Sequence, residues 1–252
     1  MLRVEELRRR LVAWIKERVA EAGAEGTVFG LSGGIDSAVA GALCREAVGE
    51  NALGLILPIN SLRQDTGDAR LVAKHFGIPT QIVPLEAVFG ALLGSLSQDT
   101  GDEQRRNLAL ANLKPRLRML ALYYYANALN YLVVGTSNRS ELAVGYFTKF
   151  GDGASDILPI GALVKRQVRE LARYLGVPQQ IVDKPPSAGL WAGQTDEGEM
   201  GITYQQLDGY LLSGDADPAA VRLIETRARL SEHKRRPAPM APVGNPLSAD
   251  RP

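Results

Sequence analysis

The chain has 252 residues, enough for one large or two small domains, and its 45% hydrophobic and 23% charged residues are ordinary for a globular protein. A formal net charge of +1 gives no support for nucleic acid as a partner, and no apolar run approaches the length of a membrane span. The single cysteine, Cys44, excludes an intrachain disulfide, and the N-terminus lacks a signal-peptide pattern, so we expect a cytoplasmic protein without a membrane partner.

Apolar residues at helical spacing predict an amphipathic helix over residues 2–22. A short β-branched and aromatic run at 27–29 predicts a buried strand, and residues 38–44 predict a helix with Cys44 in its apolar face. Further strands are predicted at 52–57, 78–83 and 131–134, and further helices at 69–76, 116–129 and 163–175. Residues 86–106 read as loop, and Pro115 either opens the long helix or kinks a longer one.

Strands that alternate with helices predict an α/β fold, with a parallel sheet covered by helices on both faces. In such sheets ligands bind at the carboxyl ends of the strands. We expect one domain over residues 1–240 and a loose tail at 241–252, which is rich in proline and alanine.

The octet from Gly30 to Ser37 joins the first strand to the next helix. A glycine-rich turn at a helix N-terminus aims backbone N–H groups at an anion, and Ser37 or Asp36 can cap the helix. The octet lacks the lysine of a Walker A motif and has an aspartate instead. Because a carboxylate beside a polyphosphate requires a divalent cation, the motif predicts a nucleotide with Mg²⁺. The alternative is a glycine- and serine-rich surface turn.

Two further polar segments follow the fourth strand. In the first, Thr136 offers a hydroxyl to phosphate or ribose and Glu141 a second carboxylate for metal. The alternative is a helix start capped by Ser137 or Asn138, with Glu141 an ordinary acid of the first turn. In the second, residues 145–157, three glycines, three aromatics, a lysine and two aspartates fit neither helix nor strand. They favour a loop that stacks on a base or pyridine ring, with a solvated loop as the alternative.

The octet resembles the pyrophosphate-binding loop of the N-type ATP pyrophosphatases. Residues 136–141 and 145–153 are similar to the central signature of the NAD synthetases within that group, residues 184–191 and 194–197 to their mobile active-site loop, and residues 232–235 to their closing motif. The matches occur in the family's order across about residues 27–236. The resemblance implies an adenine nucleotide alpha hydrolase-like fold, with 184–201 as the mobile segment.

The resemblance also implies roles for residues at matching positions. Magnesium would be held by Asp36 and Glu141, and charge would be stabilised by Asp36 and Lys165 without a side-chain nucleophile. The implied contacts to ATP come from Gly30, Leu31, Ser32, Gly33, Gly34, Ile35, Asp36, Ser37, Thr136, Lys165 and Ser187. The implied contacts to deamido-NAD come from Arg116, Lys149, Asp156, His233 and Lys234.

The implied reaction is the ATP-dependent amidation of deamido-NAD⁺ by ammonia through an acyl-adenylate, giving NAD⁺, AMP and pyrophosphate. The resemblance further implies a homodimer. Because the synthetase-like part begins within the first 30 residues and no cysteine suits an amidase, we expect free ammonia as the nitrogen source. The alternatives are another ATP pyrophosphatase, such as a GMP synthetase subunit, and a nucleotide-binding module without chemistry.

Overall fold

The computed structural model describes residues 3–96, 102–187 and 194–241. The strands are β1 Gly26–Gly30, β2 Ala52–Ile56, β3 Thr80–Ile82 and β4 Tyr131–Val133. The helices are α1 Val4–Glu21, α2 Ile35–Val48, α3 Arg63–Phe76, α4 Glu86–Ser95, α5 Glu103–Leu129, α6 Arg139–Val144, α7 Lys165–Leu175, α8 Gln179–Val182, α9 Asp196–Met200, α10 Tyr204–Ser213, α11 Pro218–Leu230 and α12 Glu232–Arg235, with a short 3₁₀ turn at Gly49–Asn51.

The four strands form one parallel sheet in the order β3-β2-β1-β4. The chain moves outward from β1 to β3 and then returns to place β4 on the other side of β1. The strand order therefore reverses between β1 and β4, and a crevice at the carboxyl ends of these strands is where such sheets bind ligands. The predicted parallel α/β fold is confirmed.

Successive residues of β1 point to opposite faces of the sheet. Phe29 packs among apolar residues of α1, α2, α3 and α7, whereas Val28 packs among residues of α4 and α5. A smaller apolar cluster beside the sheet joins α6 to α9, α10 and α11. Cys44 is fully buried in the first of these clusters, as its apolar surroundings predicted.

The prediction of loop over residues 86–106 is wrong for two described parts, because α4 occupies Glu86–Ser95 and α5 already begins at Glu103. Glycines at 90 and 94 weaken the helical pattern of α4, but burial of Phe89 against the sheet compensates. Pro115 lies buried inside α5, so the prediction that it interrupts a longer helix, and not the prediction that it begins the helix, is correct in its placement.

Within the described residues, no helix is both long and apolar enough to cross a membrane. The predicted tail at 241–252 lies outside the described residues except for residue 241, as do residues 188–193 of the predicted mobile segment.

Candidate active site

The loop between β1 and α2 requires glycine at position 33. Gly33 has a φ of 80°, and a Cβ there would lie 2.5 Å from the carbonyl oxygen of Asp65 and 2.8 Å from the Cβ of Asp68. Real side chains do not tolerate contacts this close, and the left-handed conformation disfavours them further. The start of α3 therefore packs directly on this loop and fixes its shape.

The N-terminus of α2 faces the cleft without a side-chain cap. Gly34 is the N-cap residue, and the predicted capping by Ser37 or Asp36 is wrong. The Ser37 hydroxyl instead donates to the Gly34 carbonyl at 2.9 Å and lies 3.0 Å from the Ser32 hydroxyl. The two hydroxyls thus line the loop, and the first turn of α2 keeps N–H groups for an anion.

Asp36, Glu141 and Lys165 form one ionic cluster at the carboxyl ends of β1 and β4. The ammonium Nζ of Lys165 lies 2.6 Å from Asp36 Oδ2 and 3.2 Å from Glu141 Oε1. The side chain of Asn138 donates to Asp36 Oδ1 at 3.0 Å. The Lys165 side chain is only 2% exposed. Two carboxylates from separate elements therefore converge on a single positive charge.

Helix termini bring these groups together. Asn138 caps α6, and its capping box is completed by Glu141, whose Oε2 accepts from the Asn138 backbone N–H at 3.2 Å. At the start of α7, the Lys165 N–H donates to Ser140 Oγ, which in turn donates to the buried Asp208. The N-termini of α6 and α7 are thereby joined. The helix start capped by Asn138 is present, and its first-turn acid Glu141 also contacts Lys165.

Burial and charge act against each other in this cluster. Burial by itself would lower the pKa of Lys165, but the attraction of Asp36 and Glu141 is larger in sum and raises it. Burial raises the pKa of Glu141, and the Lys165 charge partly offsets that rise. Lys165 is consequently a firmly protonated cation, and Glu141 depends on it to remain ionised.

A second wall of the cleft consists of tyrosines and acids from α9, α10 and the loop after α6. The Tyr204 hydroxyl lies 2.8 Å from Asp196 Oδ2 and 3.3 Å from Glu141 Oε1. The Tyr146 hydroxyl donates to Glu199 Oε2 at 2.5 Å. The Lys165 ammonium also lies over the Tyr204 ring, 4.8 Å from its centroid. This wall adds negative charge beside the ionic cluster.

The residues predicted for the second substrate lie farther out. Arg116 donates to the Lys149 carbonyl, Lys149 Nζ to the His233 carbonyl at 2.6 Å, and Lys234 Nζ to the carbonyls of Gly145 and Phe147 at 2.8 Å each. Four predicted residues (Arg116, Lys149, His233 and Lys234) thus form one connected group, which we call the outer cationic cluster.

Asp156 does not join the outer cationic cluster. Its Oδ1 accepts from the Tyr123 hydroxyl at 3.1 Å and its Oδ2 from the Val133 backbone N–H at 2.7 Å. Burial, together with the neighbouring carboxylate, raises the pKa of Tyr123 to about 12. In this conformation the carboxylate of Asp156 ties the end of β4 to α5.

A cavity of about 910 Å³ opens at the carboxyl ends of β1, β2 and β4. Its volume suits a nucleotide-sized ligand. Among its lining residues are most of the predicted ATP and metal residues (Gly30, Leu31, Ser32, Gly34, Ile35, Asp36, Ser37, Thr136, Glu141, Lys165 and Ser187) and Lys234. Gly33, Arg116, Lys149, Asp156 and His233 are not among the residues that line it.

Sequence reasoning missed several residues in or behind the cavity wall, among them Arg118, Asp196 and Tyr204. Arg118 reaches it from α5, where its Nε donates to the Leu57 carbonyl at 3.1 Å. Asp196 lines it, and Tyr204 stands behind Asp196. The motif at 194–197 pointed to the segment of Asp196, but nothing local in the sequence marks Arg118 or Tyr204, whose positions depend on the packing of whole helices.

Comparisons with known proteins agree on one family. A family model described as NAD synthase matches residues 7–238. A curated NH(3)-dependent NAD(+) synthetase of Carboxydothermus hydrogenoformans is 52% identical over 92% of this chain and 95% of its own length. Two solved structures match 96% of this chain and 100% of their own: an NMN synthetase from Francisella tularensis, with a TM-score of 0.90 and 41% identity, and an NH3-dependent NAD synthetase from Campylobacter jejuni, with 0.78 and 29%.

Proposed function

This chain belongs to the NAD synthase family, and from that premise we propose that it joins ammonia to the nicotinate carboxylate of deamido-NAD⁺ with cleavage of ATP to AMP and pyrophosphate. One observation carries the proposal. The glycine loop, the paired carboxylates Asp36 and Glu141 and the buried Lys165 belong to one cleft beside the crossover between β1 and β4. A module that only bound a nucleotide would not need that pair of carboxylates.

In the first proposed step, a nicotinate carboxylate oxygen attacks the α-phosphorus of ATP. The bond from that phosphorus to the oxygen of the β-phosphate breaks, and pyrophosphate leaves. Both reactants are anions, so positioning and charge neutralisation dominate the barrier. The N–H groups of the first turn of α2 and the hydroxyls of Ser32 and Ser37 hold the departing pyrophosphate, and Lys165 supplies positive charge.

In the second proposed step, the nitrogen lone pair of ammonia attacks the carbonyl carbon of the acyl-adenylate. The carbon–oxygen bond to the phosphate breaks, AMP leaves with its electron pair, and the nitrogen loses a proton. No side chain of the protein forms a bond to the substrate in either step. The chain contributes binding, orientation and exclusion of water.

We propose that Asp36 and Glu141 hold Mg²⁺ when ATP is bound. Mg²⁺ commonly binds through one or two carboxylates together with substrate phosphates, and both of these carboxylates line the cavity beside the glycine loop, where each also contacts the Lys165 ammonium. The residues therefore fit the ion. Bound there, Mg²⁺ would supply further charge neutralisation at the phosphates.

A second candidate differs only in the acceptor. The similarity to the Francisella tularensis NMN synthetase favours nicotinate mononucleotide, the acid whose amidation gives nicotinamide mononucleotide, as an acceptor. The two candidates separate in the ratio of kcat/KM for deamido-NAD⁺ and nicotinate mononucleotide. The outer cationic cluster offers a matched variant: we expect Lys149→Met to weaken use of the dinucleotide more than use of the mononucleotide.

We also propose that the protein acts as a homodimer through α5. Leu120 and Tyr124 on this helix are 65% and 67% exposed, and Leu108 near its start is 59% exposed. Exposed apolar side chains along one long helix favour burial against a second copy. We place the protein in the cytoplasm, where ATP, its proposed co-substrate, is available.

We propose free ammonia as the nitrogen source. Burial raises the pKa of the Cys44 thiol to about 12, so this cysteine is unsuited to attack glutamine.

The test of the function is acceptor-dependent release of pyrophosphate from ATP and Mg²⁺, followed by NAD⁺ formation when ammonium is added. Replacing deamido-NAD⁺ by XMP should abolish both signals. Glutamine free of ammonia should not replace ammonium, and Cys44→Ala should retain the ammonium-dependent rate. Release of pyrophosphate from ATP with XMP, but not with deamido-NAD⁺, as the acceptor would contradict the proposed function.

A further inference from the structure

Asp208 is a buried carboxylate that contacts both α6 and α7. It lies on α10, is 2% exposed and is not among the described residues that line the cavity. Its Oδ1 accepts from the Ser140 hydroxyl at 2.6 Å, and its Oδ2 accepts from the backbone N–H of Arg166 at 2.7 Å. Because a buried charge is costly unless it is compensated, these two short hydrogen bonds hold the carboxylate in one place.

The start of α7 depends on neighbouring elements for its capping. Val164, the N-cap residue, has no polar side chain, so the first N–H groups of the helix need acceptors from elsewhere. The Lys165 N–H donates to Ser140 Oγ at 3.1 Å, and the Arg166 N–H donates to Asp208. The negative charge of Asp208 also suits the positive end of the helix dipole. The two acceptors therefore fix the position at which α7 begins.

The same contacts determine how α6 lies against α7. An ionised carboxylate only accepts hydrogen bonds, so the single proton of the Ser140 hydroxyl is directed to Asp208. The Ser140 oxygen is then left to accept from the Lys165 N–H. Ser140 is followed in α6 by Glu141, whose Oε1 lies 3.2 Å from Lys165 Nζ. One buried carboxylate thus orders the backbone at both members of this ion pair.

We propose that Asp208 is a positioning residue for the first step of the reaction, an assignment that rests on the proposed function. It acts through Ser140 and the start of α7 to hold the Lys165 ammonium where charge is neutralised at the phosphates. The exact place of that ammonium matters, because a displacement of about 1 Å can lower a rate by about a hundredfold. This role requires no contact between Asp208 and either substrate.

The test measures, in Asp208→Asn, the burst of pyrophosphate released from ATP and deamido-NAD⁺ without ammonium. Asparagine keeps the shape but removes the charge, and its NH₂ group faces one of the two donors. We expect the rate constant of the burst to fall about tenfold or more. The burst amplitude counts the competent molecules, so a variant that had only lost stability would show a smaller amplitude with an unchanged rate constant. Ser140→Ala, which breaks the same connection, takes the place of Asp208→Asn if that variant does not fold.

A double-mutant cycle with Lys165→Met distinguishes action through the cation from an independent effect. Independent effects multiply, whereas a positioning residue has nothing left to position once the ammonium is gone. In the Lys165→Met background, Asp208→Asn should therefore change the rate constant by less than about twofold. Asp217→Asn is the matched control. Asp217 caps α11 at an exposed position by accepting from two backbone N–H groups, and its variant should keep the wild-type rate constant.

A rate constant within about twofold of the wild type in Asp208→Asn would overturn the assignment. An equal fold loss in the presence and absence of Lys165 would overturn it too, because Asp208 would then act independently of the cation. A wild-type protein with no pyrophosphate burst and no NAD⁺ formation would overturn the proposed function itself. The two failures are distinguishable, since the assignment alone fails only in a protein whose wild type shows the burst.

Discussion

Replacing Lys165 with methionine removes the ammonium between Asp36 and Glu141 and keeps a side chain of similar shape. The Lys165 side chain is 2% exposed, and the two carboxylates are 18% and 14% exposed. Removing one partner of a buried pair costs about 3–5 kcal/mol, because the remaining charge is left uncompensated. The residual exposure of the carboxylates places the expected loss of unfolding free energy near the lower end, about 3 kcal/mol at pH 8.

The loss should shrink as the pH falls. Burial raises the pKa of Glu141 in the folded protein, and Lys165 is the nearby charge that lowers it, so the variant's Glu141 pKa should rise further. A carboxyl with a raised folded-state pKa binds a proton that the unfolded chain does not, and stability therefore falls as the pH rises through that interval. Protonation at pH 5.5 removes much of the repulsion, and the deficit of Lys165→Met should be smaller there than at pH 8.

Urea denaturation of wild type and variant at both pH values measures this difference. Arg10→Met is the control, because it breaks a pair with Glu6 whose side chains are 62% and 42% exposed, and such pairs contribute about 0–1 kcal/mol at any of these pH values. A deficit for Lys165→Met that is no larger than the control, or that is the same at pH 5.5 and pH 8, would refute the reasoning.

Three further predictions follow from the same geometry. Asp36→Asn and Glu141→Gln should each lower kcat about a hundredfold or more, roughly 3 kcal/mol of barrier, and a few-fold change in both would exclude the metal role. Gly33→Ala should raise the KM for ATP and destabilise the fold by more than about 1–2 kcal/mol, because its methyl group would clash with Asp65 of α3 and its backbone would be held in the left-handed conformation. Steady-state kinetics would measure the KM, and scanning calorimetry the loss of stability. Leu120→Glu should yield a monomer by light scattering, whereas an unchanged dimer would exclude this face of α5 as the interface.

Local patterns were sufficient for the sheet and for the loop after β1. Short apolar runs bounded by turn residues identify all four strands, including β3, whose three residues are exposed at the edge of the sheet. The glycine loop is identifiable because its conformation excludes side chains at Gly33 and so leaves a mark in the sequence. Pattern reasoning failed at α4, where two glycines hide a helix that tertiary contacts stabilise.

The second wall of the cleft was not predictable in the same way. Tyr204 contacts both Asp196 and Glu141 through the packing of α9 and α10 on α6, and Glu141 lies 63 residues before Tyr204 in the chain. A tyrosine at the start of a helix has no local feature that distinguishes a buried site residue from a surface one. These contacts form only when the smaller apolar cluster, which joins α6 to α9, α10 and α11, packs together, and no local pattern in the sequence predicts that packing.

Glu141 illustrates why a structural and a functional interpretation of one residue need not compete. One carboxylate oxygen completes the capping box of α6 with Asn138, and the other faces Lys165. Glutamine can replace glutamate in a capping box, so its helix-stabilising part does not require the charge. Pairing with Lys165 does require the charge, and so would the proposed binding of Mg²⁺. The sequence motif cannot separate the two roles because the cap is what directs the second oxygen into the cleft, and loss of the cap would misplace the charge.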